Sequence, residues 1–595
     1  MKKLLKILGF GLLSLNLSCS SLPKETKNPL EQIIITENKK TFDKGTLEKR
    51  DNIHVLHLRG TPYEMGLQHG MLLKQEIKEG AVPHYTYFIE NSVSKNLKDD
   101  EFTKFFLKSF VNYYYILPFQ PKIPKDAKDE IKGLVDATGI PYNTYLKLVT
   151  IPDTGSALVN EVYNFLEKDL EVFENIPSSL GCSGFIISKK GTKNKKLMHG
   201  RNLDYQGVGF WDKSPTIIFY HPNKGQKYVS ITSAGVGLAG LTAMNESGLT
   251  LALHQNHSTE VSTSGTPIMA INNEVIRNAH NIDEAIEIIT KLKPSAGWSI
   301  LISDWKNQKA VVVETSSEKI KIRKLEKKHL VATNHYIIEE MKKTERNLTP
   351  IRNIESKVRY NRLEQLLNQQ FGILDIQSAI KFLGDNYDPY LKKERVFINT
   401  ITKGSNLSSV LFVPEEGNFW VANGKVPASN STYIGFNIND SIKLPNYDGN
   451  KLKSKNKISA MNYYLKASDE ESIQKTLDLL EKCIQEDPEE PLYYNDMGFL
   501  LLKEKKFEKA LYIFQKATNL EQTSYRKALN YVWLGHVQDI LNHREEAKES
   551  YKKALQTSRM PTIIKSANNG LNFKYKKERI KKLKFDFSLG DVIRE

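Results

Sequence analysis

The sequence predicts an α+β protein in which sheets pack face to face beneath helices, with a mainly helical segment ahead of them and an all-α repeat domain behind. Three observations carry this reading. Short β-rich runs broken by turn residues fill about 182–445, helical periodicity dominates the part before them, and beyond about Asn462 the pattern is purely helical and recurs. At 595 residues the chain exceeds what one hydrophobic core organises, so several domains are expected. A content of 40% hydrophobic and 26% charged residues excludes global disorder and a membrane bundle.

In chain order, Met-Lys-Lys precedes an apolar stretch from Leu4 to Leu17, and Ser18-Cys19-Ser20-Ser21 follows it. That stretch is too short to span a bilayer comfortably and ends in small residues, the pattern of a cleaved export signal. A cysteine at the junction resembles a bacterial lipoprotein signal. It implies that 1–19 is a signal peptide, that Cys19 is lipidated, and that the protein is exported and held at the bacterial cell envelope. Asn16 departs from the leucine common three residues before such a cysteine, so a plain secretory signal is the alternative. Residues 20–52, polar and without periodicity, are expected to be a tether. A helical prosegment is expected over 53–181. It opens with a short strand from Leu56, a turn at Gly60 to Pro62 and a helix running towards Glu79, and further helices follow at Glu101 to Tyr115 and Asp126 to Ala137.

The 182–445 stretch predicts strands at Phe185 to Ser188, Lys196 to Gly200, Thr216 to Tyr220, Tyr228 to Thr232, Leu249 to His254, Ser299 to Ser303 and Ala310 to Glu314. Two more are expected at Ser409 to Val413 and Asn418 to Ala422, and helices at Met269 to Ala279 and Ile282 to Leu292. A linker (446–461) leads to the repeats (462–560). There Leu480, Cys483 and Pro488 align with Phe514, Ala517 and Gln522 at a period of 34, the length of a tetratricopeptide repeat. Small residues such as Gly498 and Gly535 let paired helices approach, and Cys483 fits as a core thiol. The final stretch, 561–595, reads as a basic tail.

The 85 Lys and Arg against 69 Asp and Glu give a net charge of +16. Their runs, Lys189 to Lys196 and Lys576 to Lys584, stand beside acidic stretches and read as solvated faces, so no nucleic-acid partner is expected. Three cysteines cannot make a disulfide framework, and each has its own context. Cys182 sits in Gly-Cys-Ser-Gly ahead of an apolar run, a nucleophile candidate whose flanking glycines permit close approach. A lone cysteine there is more often an inert buried thiol. His254 and His257 lie three apart, but no carboxylate or cysteine cluster completes a metal site, and no metal or cofactor is expected.

Three blocks change the odds at Cys182: Gly-Cys-Ser-Gly-Phe-Ile-Ile-Ser, then Leu-Met-His-Gly-Arg-Asn-Leu-Asp-Tyr through Arg201 and Asp204, then Gly240 to Leu249 with Met-Asn-Glu-Ser-Gly. Together they resemble the acyl-CoA:isopenicillin N acyltransferase family, related to penicillin V acylase, bile salt hydrolase and acid ceramidase. Upstream, Gly60 with Tyr63 to Gly70, and downstream Ala332 to His335, Ser356 to Arg362 and Phe419 to Gly424, extend the likeness from about Leu56 to Asn437 in the same order.

The resemblance implies an αββα four-layer sandwich of the N-terminal-nucleophile (Ntn) hydrolase type. It also implies self-cleavage between Gly181 and Cys182, with the two portions staying associated. Cys182 is then the nucleophile, and its freed amino group, with a reference pKa near ~8, accepts the thiol proton. Asp204 would hold that amino group, Arg201 would favour the thiolate, and Asn334 would donate to the tetrahedral oxyanion. Arg359 resembles a later family arginine near the site; read alone, it is a helix surface residue pairing with Glu355. Relatives place a second Asn soon after the Met-Asn-Glu block, where this chain reads Leu253-His254-Gln255-Asn256-His257, and Asn256 is the choice for that role.

These residues imply hydrolysis of the amide of a small N-acylated substrate through an acyl-enzyme. Acyl transfer with the same nucleophile is the alternative. A rival cysteine mechanism would pair Cys182 with His335, His254 or His69 on a papain-like scaffold. From another class altogether comes an envelope scaffold without catalysis, whose tetratricopeptide grooves bind a protein or peptide partner.

Overall fold

The computed structural model describes residues 33–86, 105, 108–166, 181–205, 207–326, 328–346, 350–440, 443–470 and 472–582. The expected signal with Cys19, residues 20–32 of the tether, most of 101–107 and the tail from 583 lie outside them.

Two large sheets dominate the first 450 residues. The strands of the first are β1 (Ile34–Thr36), β2 (Lys39–Phe42), β3 (Gly45–Arg50), β4 (Ile53–Gly60), β7 (Pro215–Pro222), β8 (Tyr228–Ser233), β9 (Thr242–Asn245), β10 (Leu249–Gln255), β11 (Trp298–Asp304), β12 (Lys309–Thr315) and β13 (Ile320–Lys324). They lie side by side in that order, eleven in all, and β4 runs parallel to β7 while the other neighbours are antiparallel. The second sheet has the order β14 (His329–Ala332), β5 (Gly181–Ile187), β6 (Met198–Asp204), β17 (Asn406–Val413), β18 (Asn418–Asn423), β19 (Thr432–Asn437) and β20 (Tyr447–Asp448). A two-residue ladder, β15 (Tyr387–Asp388) with β16 (Lys393–Glu394), stands apart.

Strands β6, β8 and β10 are buried along their whole length, as strands covered on both faces must be. One core fills the space between the sheets: Ile53, Val55, Ile217 and Phe219 meet Val410, Phe412, Phe419 and Phe436. On the outer face of the first sheet lie α1 (Pro62–Leu72), α2 (Lys74–Glu79), α3 (Lys125–Thr138), α4 (Tyr142–Leu166), α5 (Ile268–Asn278) and α6 (Ile282–Leu292), whose Met65, Ile77, Ile131, Ile271 and Ile289 form a separate core with Leu56, Ile218, Leu251 and Ile300 of the strands. After a short turn, α7 (Glu339–Lys342), the outer face of the second sheet is covered by α8 (Pro350–Gln369) and α9 (Ile376–Leu383), where Leu363, Leu367 and Ile380 pack on Phe185 and Leu411.

Seven helices follow: α10 (Lys455–Asp469), α11 (Ile473–Glu486), α12 (Pro491–Lys503), α13 (Phe507–Leu520), α14 (Ser524–Ile540), α15 (Arg544–Thr557) and α16 (Pro561–Asn572). A Cβ on Gly498 would stand 2.7 Å from the Phe514 ring, and one on Gly535 2.5 Å from the Tyr551 ring. The expected small-against-large contact is therefore realised twice. Cys483 is a core thiol donating to the Ala460 carbonyl at 3.4 Å, and burial pushes it up to about 12.

The structure corrects several boundaries. Strands β1 to β3 occupy 34–50, where a tether was expected to run to residue 52, because Phe42 and Leu47 are buried against the first sheet's core. The short strand expected from Leu56 is β4, which starts at Ile53 and joins the sheet, and the helix expected to run towards Glu79 breaks at Leu73. In the linker, β20 and the first turns of α10 are already formed. The stretch expected to be a basic tail forms α16 and a helical turn at Lys577–Lys582, with Ile563, Ala567 and Ile580 buried in the helical core.

Candidate active site

Cys182 is the second residue of β5, within the strand and not in a turn ahead of it. Antiparallel pairing sets Gly181 opposite Asp204 and Cys182 opposite Leu203 on β6, so Asp204 faces the junction itself. The glycines of Gly-Cys-Ser-Gly have a steric reason: a Cβ on Gly184 would stand 2.7 Å from His254 Nε2.

Three atoms of Cys182 are held by three different side chains. Its N–H donates to Asn334 Oδ1 at 2.8 Å, its carbonyl accepts from Arg359 Nη1 at 2.5 Å, and Arg201 Nη2 approaches Sγ at 3.5 Å. Arg359 also donates to Ser183 Oγ and to Asn334 Oδ1, each at 2.9 Å. It is therefore buried in the site, and the expected pairing with Glu355 is not made; Glu355 binds Lys403 and Arg526.

Arg201 lies inside β6. It donates to the Leu253 carbonyl at 2.8 Å and to the Thr242 hydroxyl, with no carboxylate among its hydrogen-bond partners. Burial lowers its pKa, and the Cys182 sulfur and Asp204 act in the other direction. At Cys182 the balance is the mirror image: burial pushes the thiol up, Arg201 pulls it down, Asp204 raises it and Arg359 lowers it. A buried guanidinium without a bonded carboxylate is costly. Its placement against sulfur is the electrostatic feature that favours a thiolate.

Asn406, at the head of β17, donates to Asp204 Oδ1 at 2.8 Å, and the Ser429 N–H fixes the Asn406 amide by donating to its Oδ1 at 2.8 Å. Asn334 is oriented by Ser356 Oγ, which accepts the Asn334 N–H at 2.7 Å. Neither Asn406 nor Ser356 was singled out. Ser356 lay within a block that carried the resemblance, whereas Asn406 has no motif around it.

The two Asn side chains expected to act on the oxyanion or the substrate have these partners. Asn334 Nδ2 donates to the Gln255 carbonyl at 3.0 Å, and its Oδ1 accepts the Cys182 N–H. Asn256 donates to Ser299 Oγ at 2.7 Å, and its backbone N–H donates to the Gly297 carbonyl; neither partner is Cys182.

The histidines of the rival mechanism are occupied elsewhere or bare of partners. His335 Nδ1 bonds Ser356 Oγ at 2.7 Å, His69 Nε2 accepts from the Gly235 N–H at 3.0 Å, and the two ring nitrogens of His254 have no hydrogen-bond partner. Burial lowers His335 and His69 to about 3 and His254 well below its ordinary value, so all three are neutral near pH 7. Among the described residues no group of three His, Cys, Asp or Glu side chains is arranged to hold a metal, and no helix is long and apolar enough to cross a membrane.

Helix α4 lies over this region. Gln255 Nε2 donates to the Pro152 carbonyl at 3.3 Å and Ser156 Oγ at 3.0 Å, and Asn160 Nδ2 donates to the Thr259 carbonyl at 2.9 Å. Asp153 accepts from the Ile268 N–H at 3.1 Å, from Trp298 Nε1 at 3.3 Å and from the Ser295 hydroxyl.

Among known proteins, residues 191–426 match the family model of Acyl-coenzyme A:6-aminopenicillanic acid acyl-transferase. An uncharacterized protein of Archaeoglobus fulgidus is 21% identical over 388 residues, 58% of this chain and 60% of that protein. The chain spans 52% to 60% of the length of the curated relatives it matches. Of solved structures, a mutant conjugated bile acid hydrolase from Clostridium perfringens aligns over 46% of this chain and 98% of its own, at 14% identity and a TM-score of 0.31. The N-terminal domain of stress-induced protein-1 from C. elegans aligns over 20% of this chain and 97% of its own, at 19% identity and a TM-score of 0.18. The central stretch is thus similar in sequence to an acyl-transfer family, and that stretch contains Arg201, Asp204, Asn334 and Arg359.

Proposed function

We propose that this chain is a self-processing N-terminal-cysteine amidohydrolase that cleaves the acyl-amide bond of a small N-acylated substrate. The observation that carries the reading is the separate restraint of the Cys182 nitrogen, carbonyl and sulfur by Asn334, Arg359 and Arg201. In the first reaction Sγ attacks the Gly181 carbonyl carbon. The Gly181–Cys182 amide breaks, its nitrogen takes the thiol proton, and Gly181 becomes a thioester. Water then hydrolyses the thioester, releasing the Gly181 carboxylate and restoring the thiol. The freed amine stays where the amide N–H was, beside Asn334 Oδ1 and across from Asp204.

In turnover the amine accepts the thiol proton, the thiolate attacks the substrate carbonyl, and the departing amine takes the proton back. Water resolves the acyl-enzyme. An acceptor amine in place of water gives the transferase alternative, which the similarity of 191–426 to an acyl-transferase family favours.

The two sheets between helical layers suit the αββα sandwich of Ntn hydrolases, and the two glycine-on-ring contacts suit tetratricopeptide repeats that bind a peptide or protein partner. The Leu4–Leu17 stretch and Cys19 support export and a lipid anchor at the cell envelope. Intact mass and N-terminal sequencing of purified protein test the proposal. A fragment beginning at Cys182 is expected, and Cys182→Ala should leave one chain near 68.0 kDa minus its signal. Wild-type protein that stays uncut and unreactive towards a panel of fluorogenic N-acyl amides would favour the non-catalytic scaffold.

A further inference from the structure

The catalytic region and the helical domain share buried charges. Glu355, on α8, binds Lys403 Nζ at 3.1 Å through one oxygen and Arg526 of α14 through the other; all three residues are at most 3% exposed. A second buried set crosses the same boundary: Arg395 donates to Asp388 Oδ2 at 2.8 Å and to Glu490 Oε2 at 2.7 Å. Asn399 Nδ2 reaches Thr523 Oγ1, beside α14, at 3.1 Å.

Glu355 is next to Ser356, which orients Asn334, and one helical turn before Arg359, which holds the Cys182 carbonyl. Lys403 accepts at its carbonyl the N–H of Asn406, the residue that holds Asp204, at 2.9 Å. The Glu355–Lys403 pair therefore clamps together the two segments that supply the groups around the Gly181–Cys182 junction. Its remaining oxygen is satisfied by a cation from the helical domain.

We propose that Arg526 is a positioning residue of the Cys182 site: the helical domain completes the clamp that sets Arg359, Ser356 and Asn406. The proposal rests on the self-processing reading. Losing Arg526 leaves Glu355 buried with one cation instead of two. In a close-packed interior a shift of α8 passes to Arg359, and small misplacements at a reacting centre slow the chemistry strongly.

The test follows the appearance of the fragment beginning at Cys182 in full-length Arg526→Met, Arg526→Lys and Arg544→Met, by intact mass from about pH 6 to 9, with thermal melts alongside. Arg544 is the control: it pairs with Asp539 at 2.9 Å and bonds the Gly570 and Leu571 carbonyls inside the helical domain, away from Glu355. Expected are a tenfold or greater slowing in Arg526→Met, partial recovery in Arg526→Lys and a wild-type rate in Arg544→Met. Turnover of an N-acyl amide should lose kcat, with KM held within about twofold.

Folded Arg526→Met cutting at the wild-type rate, or Arg544→Met slowed equally, overturns the coupling alone. If Arg526→Met does not fold, Arg526→Lys decides: an unchanged rate and pH profile overturns the proposal, and slowing beyond that of Arg544→Met supports it. A wild-type chain that never cuts overturns the self-processing reading and this inference with it.

Discussion

Replacing Arg201 with methionine separates the electrostatics of the Cys182 site from its stability. The guanidinium lies 3.5 Å from Sγ, and both groups are buried. At an effective dielectric of about 20, full opposite charges at that distance attract by about 5 kcal/mol. With roughly half a charge developed on sulfur during attack, Arg201 contributes about 2 kcal/mol, or roughly a 30-fold to 100-fold effect on rate.

Stability should respond differently. Arg201 has no carboxylate among its hydrogen-bond partners, so exchanging a buried charge for an apolar chain of similar length removes a desolvation cost while losing the bonds to Leu253 and Thr242. The two effects offset to within about 1–2 kcal/mol. The assay is a time course of self-cleavage across pH, read by intact mass, beside a thermal melt. Burial raises the Cys182 thiol and Arg201 lowers it, so Arg201→Met should both slow cutting and carry its alkaline rise to higher pH, while Tm barely moves. A folded Arg201→Met with unchanged rate and unchanged pH profile would refute the assignment of Arg201 to the thiolate.

Asn334→Ala removes the acceptor of the Cys182 N–H, and a slowing of roughly 100-fold in self-cleavage is expected, since fixed polar groups at a reacting centre contribute on this scale; cutting within threefold of wild type would show that the contact is dispensable. Asp153 and Glu130 are both raised by burial to about 7, well above their unfolded values. The folded chain then binds more protons than the unfolded one between about pH 4 and 7, so stability falls as pH rises through that window. Melts from pH 5 to 8 should show Tm declining, and Asp153→Asn should flatten the slope; a Tm that rises over that range contradicts the assignment. Gly535→Ala puts a methyl into the Tyr551 ring and should destabilise the helical domain by about 2 kcal/mol, seen as an earlier unfolding transition.

Periodicity made the central strands, the helices of 455–572 and their small-residue contacts legible, because each element's pattern follows from which face it buries. The first three strands escaped because Ile34 and Ile35 are exposed and only Phe42 and Leu47 mark an inward face, which leaves a polar run without alternation. Cys182, Arg201 and Asp204 were picked out through the resemblance of the blocks that hold them, and the fold sets them on two adjacent strands of one hairpin. Arg359 read locally as a surface helix residue pairing with Glu355; its true partners are 177 positions away at Cys182 and 25 away at Asn334. Asn406 was invisible for the same reason, being 202 positions from the carboxylate it holds. Asn334 was recognised by type, but the partner of each end of its amide was not, because that depends on neighbours such as Gln255 that only the fold assembles.

Strand β4 belongs to the chain before Gly181 and β7 to the chain after it, yet they pair along seven residues from His54 with Thr216 to Gly60 with Pro222. Severing the backbone at residue 181 would thus not part the molecule, because four strands of the larger sheet would remain stitched to the other seven by main-chain hydrogen bonds. Any membrane attachment at the front of the polypeptide and the Cys182 sulfur would then reside on different chains. The link between such an anchor and Cys182 would be only as strong as one seam of β-ladder and the helices packed over it.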